Sequence, residues 1–144
     1  MRFLVILTTF IILLPLQVLA DIVVIVNPRS NITALTQHQI IDIYMGRNPG
    51  LSGGQKLQPY DQAADSSIRT DFYYGITGKP ASAINAYWAR LLFTGRASPP
   101  KLVADNREML SIIEKDPMAI GYLDERDLNE RVTVVHKIRT QNRE

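Results

Sequence analysis

The side chains best placed for chemistry are Asp65-Ser66-Ser67-Ile68-Arg69. They stand at the head of an apolar helical pattern, Ile68, Phe72 and Ile76, and Asp65, Ser66 and Ser67 are all good N-caps. A helix start has free backbone N–H groups and the positive end of the helix dipole, so it can hold an anion. The Ser66 hydroxyl can donate to a bound oxygen, and the N–H groups of Ser67 and Ile68 point the same way. Arg69, in the first turn, can add a charge-assisted fork. Asp65 repels an anion unless it is turned away. The same run is also an ordinary capped helix with a surface arginine.

Asn27 and Ser30 form a second polar group. They follow the run Ile22 to Val26, at the carboxyl end of a predicted strand, where α/β sheets open their ligand crevice. Asn27 can equally serve the turn before Pro28. Thr94 and Arg96 make a third group, with Arg96 read as a solvated surface charge. Catalysis is not expected. His38 and His136 belong to no metal-ligand spacing, and no nucleophile motif is present. Asp61 and Asp65 are four apart but lack a pocket, so they read as turn and cap carboxylates. No cofactor and no metal site is implied.

The elements that must carry these groups follow from periodicity. Ile22-Val23-Val24-Ile25-Val26 is a β-branched run stopped by Asn27-Pro28, read as a strand buried on both faces, as in a parallel sheet. Thr36 and Gln39 have capping-box spacing, and Leu35 and Ile40 are placed for a hydrophobic staple. Gly46 is placed to end that helix. Asn48 to Lys56 is turn-rich, with no Walker pattern, and reads as a flexible connection. Lys56 to Tyr60 reads as a short strand near an edge because of Pro59. A helix is predicted from about Ser67 to Gly75, and a second from about Ala81 to Phe93 with Pro80 at its first position. The latter carries Ile84, Tyr87, Trp88, Leu91 and Leu92 as one apolar face. Asp105 and Glu108 cap a further helix that stops before Asp116-Pro117. Ala119 to Leu123 and Val132 to Val135 read as strands, with a charged turn between them. Helices interleaved with short apolar strands predict a two- or three-layer α/β domain on a mixed sheet of four strands.

The ordered motifs VVIVNP…LTQHQIIDIYMGR, then Ser66-Ser67-Ile68-Arg69-Thr70-Asp71-Phe72, then Ala119-Ile120-Gly121-Tyr122-Leu123 resemble one lobe of the phosphate ABC transporter substrate-binding proteins. The resemblance covers most of the chain after residue 21. It implies a single periplasmic-binding-protein-like lobe with a small mixed sheet flanked by helices. In that family a Gly-Ser-Gly-Thr run clasps phosphate. Ser66 matches the serine, while the flanking glycines and threonine are absent here. The resemblance thus implies reversible binding of a small oxyanion, phosphate first and sulfate-like second, and the residues read as ligand-binding are Ser66, Ser67, Ile68 and Arg69, then Asn27 and Ser30. It also implies a membrane transporter or sensor subunit as partner. The alternative is an interaction module that docks a membrane partner without an anion.

The remaining expectations come from composition. Met1-Arg2, an apolar run to Leu16, and Val18-Leu19-Ala20 describe a secretory signal peptide cut before Asp21. Residues 1–20 would then be the leader and residues 21–144 one domain in the periplasm. That domain suits one core and is short for a two-lobed binding protein, so a homodimer is a further expectation. Removing Arg2 from 16 basic residues leaves 15 against 14 acidic ones, so charge makes no case for nucleic acid. With no cysteine there are no disulfides or thiolate sites.

Overall fold

The computed structural model describes residues 20–47 and 51–140. The predicted leader, apart from Ala20, lies outside the described residues, as do residues 48–50 of the predicted loop. Among the described residues five strands form one sheet: β1 (Ile22–Val26), β2 (Gln58–Asp61), β3 (Lys101–Leu102), β4 (Ala119–Asp124) and β5 (Thr133–Ile138), in the order β3-β2-β4-β1-β5. Among the described residues four α-helices complete it: α1 (Gln37–Tyr44), α2 (Ser67–Thr77), α3 (Ala81–Thr94) and α4 (Asn106–Lys115). Among the described residues, no helix is long and apolar enough to cross a membrane.

All of β1 is buried, as its sequence predicts. Ile22, Val24 and Val26 point to one face of the sheet, with the buried residues of α1, α2 and α3. Val23 and Ile25 point to the other, with Met109 and Ile113 of α4. The protein is therefore a three-layer α/β sandwich. Burial on both faces does not make β1 parallel, however. It runs antiparallel to both β4 and β5, and the parallel pairs are β2 with β3 and β2 with β4. Helices on both sides, not strand direction, are what a continuous apolar strand reports.

The fifth strand was not expected. β3 has two residues, both exposed, and is too short to show alternation. It pairs with β2 only at Tyr60 and Asp61, so Pro59 sits where β2 is still a sheet edge.

The helix boundaries follow the local chemistry. Thr36 Oγ1 accepts from the Gln39 N–H, and the Gln39 side chain accepts from the Thr36 N–H, closing the capping box. Leu35 and Ile40 are buried behind it. α3 begins at Ala81, as expected, with Pro80 as its N-cap and not its first helical residue. Its apolar face is narrower than predicted: Ile84 and Trp88 are buried, Tyr87 and Leu91 partly so, and Leu92 is exposed. The turn after α1 depends on Gly46, whose φ is +73°. A Cβ there would lie 2.8 Å from Trp88 Cη2 and 3.2 Å from Ala97 Cβ. Gly46→Ala is expected to cost about 2 kcal/mol from the left-handed backbone alone, measured by urea unfolding.

Candidate functional site

The carboxyl end of β2 and the start of α2 are joined by a short turn, closed by a hydrogen bond from the Ser66 N–H to the Ala63 carbonyl at 2.9 Å. Ser66 is the N-cap of α2, yet its side chain makes no capping hydrogen bond. The first-turn N–H groups of an α-helix have no acceptor within the helix, so those of Ser67 and Ile68 are donors that the Ser66 side chain leaves uncapped. Ser66 is half-buried, while Asp65 and Ser67 are exposed. A hydroxyl and adjacent amides at a positive dipole end can hold a small anion.

Directly beneath lies a buried polar cluster built on Asp61, which is 2% exposed. Its carboxylate accepts from Arg69 Nε at 3.0 Å, from the Tyr73 hydroxyl at 2.9 Å, and from the Tyr122 hydroxyl. Gln62 extends the network. Its N–H donates to the Tyr122 hydroxyl, and its side-chain amide donates to the Tyr122 carbonyl and to Asn106 Oδ1. Phe72 and Tyr122 stack with ring centroids 3.7 Å apart, and Tyr44 meets both rings edge-on. The Tyr44 hydroxyl donates to the Tyr60 carbonyl. Helix start and strand end are thus fastened together by paired charge and aromatic packing.

Electrostatics inside the cluster are one-sided. Burial opposes the charge on Arg69, but Asp61 outweighs it and holds the guanidinium protonated. Burial first, and then the Asp61 charge, push the Tyr44, Tyr73 and Tyr122 phenols well above their ordinary range. Arg69 Nη1 is buried with no hydrogen-bond partner among the described residues. The reading of Arg69 as a surface arginine and of Asp61 as a turn carboxylate is corrected here: they form a buried ion pair.

Asn27 and Ser30 do not join this site. β1 is antiparallel to β4 and β2 is parallel to it, so Val26 and Pro59 share the level of Ile120. Asn27 therefore lies at the opposite end of the sheet from Asp61, about 10 Å along the strands and two strand spacings across. There Asn27 donates to the Ile113 and Glu114 carbonyls, both at 2.9 Å, and its Oδ1 accepts from the Arg29 N–H. It closes the carboxyl end of α4. The Ser30 hydroxyl accepts from the Ile32 N–H. Thr94 donates to the Leu91 carbonyl, and Arg96 is exposed.

The sequence reading missed the second inward face of α2. Ile68, Phe72 and Ile76 mark one buried stripe, but Arg69 and Tyr73 are buried beside it. The available signal was the spacing of four between Arg69 and Tyr73, with a carboxylate closing the strand just before.

No family model matches the chain, and no curated protein matches it by sequence. Solved structures do match in fold. An ABC-type phosphate transport receptor from Vibrio cholerae aligns with TM-score 0.62 and 21% identity, over 81% of this chain and 45% of that one. A structure described as a phosphate ABC transporter substrate-binding protein from Clostridium perfringens, with phosphate bound, aligns with TM-score 0.62 and 17% identity, over 81% and 44%. PstS from Borrelia burgdorferi aligns with TM-score 0.55 and 14% identity, over 81% and 46%. The chain spans less than half the length of each of these proteins. It carries the α/β fold of the phosphate ABC transporter substrate-binding proteins, in the extent of a single lobe.

Proposed function

We propose that the protein is an exported solute-binding-type protein that reversibly holds a small oxyanion, phosphate foremost, at the start of α2. The observation that carries this reading is the uncapped Ser66 hydroxyl beside the first-turn amides of Ser67 and Ile68, in a fold whose solved neighbours include one with phosphate bound. Ser66, Ser67 and Ile68 replace water around the anion. Arg69 acts from below, through its fixed charge and by tying the helix start to Asp61. Asn27 and Ser30 hold the opposite end of the sheet and stand outside the contacts.

One lobe leaves the anion half hydrated. A few hydrogen bonds to charge, each worth about 1.5–3 kcal/mol, work against the entropy of binding, so the affinity is on the order of millimolar. A second copy or a transporter subunit closing over the seat would tighten it. A docking module that binds a membrane partner without an anion is the second reading. It is favoured by Leu92 and Phe93, 54% and 95% exposed at the end of α3.

Thermal unfolding against phosphate, with chloride at matched ionic strength, tests the proposal. At about twenty times a millimolar Kd, linkage stabilises the protein by roughly 1.8 kcal/mol, a shift of several degrees. Ser66→Asp keeps a good N-cap and puts a negative charge in the seat. It is expected to leave the anion-free Tm unchanged or raised and to abolish the phosphate shift. Equal shifts in both proteins would reflect general salt exclusion and reject the site.

A further inference from the structure

A cavity of about 400 Å³ opens at the other end of β2, away from Ser66, between the carboxyl end of α1, Leu51, residues 55–59, α3 and residues 98–101. Ile43, Trp88 and Pro100 give it an apolar, buried lining. Arg47, Lys56 and Lys101 line it as well, all three exposed, and no lining residue is acidic. Arg47 is already paired, to Asp42 at 3.0 Å. Lys56 and Lys101 meet no carboxylate among the described residues; the Lys101 ammonium instead sits 5.9 Å over the Tyr60 ring.

The volume falls in the range of small-molecule sites, in which apolar walls hold the body of a ligand and a few polar groups orient it. Two uncompensated ammonium groups beside an apolar floor select for negative charge at one end of the ligand.

We propose that this cavity binds a small organic anion, an apolar body carrying one carboxylate, with the body against Trp88 and the carboxylate between Lys56 and Lys101. The site is separate from the oxyanion seat and does not depend on it.

Trp88 is the only tryptophan in the sequence, so its fluorescence reports directly on the cavity. Phenylacetate is the probe, with phenylacetamide as its neutral counterpart. Phenylacetate is expected to shift Trp88 emission saturably. The amide, and phenylacetate with Lys56→Ala/Lys101→Ala, are expected to bind about tenfold more weakly, or ~1.4 kcal/mol. Both lysines are exposed, so the double variant folds; Lys56→Arg/Lys101→Arg keeps the affinity, and Ser66→Asp leaves it unchanged. No saturable shift, equal affinity for the amide, or full affinity in the alanine variant would overturn the proposal. Loss of binding in Ser66→Asp would also overturn it, because the two sites would then be one.

Discussion

Asp61→Ala is expected to lower the unfolding free energy by about 3–5 kcal/mol, the cost of breaking a buried pair from one side. The variant leaves the Arg69 guanidinium, with a side chain only 6% exposed, without its counter-charge. It also strips the acceptor from the Tyr73 and Tyr122 hydroxyls. Arg69→Met is milder, because Asp61 keeps two phenol donors. In the double variant no charge is left unpaired, so the combined loss should fall short of the sum of the single losses by about 1–3 kcal/mol. Urea unfolding of the four proteins measures this. Additive losses would mean that the pair does not anchor α2 to β2.

Alkali is expected to unfold the protein steeply above about pH 10, the ordinary phenol value. The Tyr44, Tyr73 and Tyr122 phenols are raised in the folded state by burial and by Asp61. Above the unfolded value the folded chain therefore holds more protons than the unfolded one. Stability is fully present below about pH 10 and falls as pH rises through the window above it. Each phenol contributes about 1.4 kcal/mol per pH unit, so three together approach about 4. Phenolate absorbance from these rings should appear together with the loss of helical circular dichroism. Phenolates forming in a chain that keeps its helices would contradict the buried network.

These two results bear on the part of the molecule that was hardest to read in the sequence. Elements announced by local chemistry were legible: the Thr36–Gln39 capping box, the stop at Gly46, the Asp105 cap and the buried run of β1 all stand as read. Strand direction was not. An apolar run reports burial on two faces and says nothing of pairing, so Asn27 and Ser66 were placed at one crevice when antiparallel β1 puts them at opposite ends. β3, with two exposed residues, leaves no periodic trace. The Asp61–Arg69 pair escaped because polar residues in a turn and a first helical turn look solvated until the fold closes over them. Ser66 was legible as a cap. Only the structure shows that its hydroxyl caps nothing.

The oxyanion seat is tested most directly by following backbone amide NMR signals during a phosphate titration. The account predicts saturable shifts, with a Kd on the order of millimolar, at the Ser67 and Ile68 amides, and none at Asn27 and Ser30. Still amides at Ser67 and Ile68, or shifts centred on Arg47, Lys56 and Lys101, would contradict it and place the anion elsewhere.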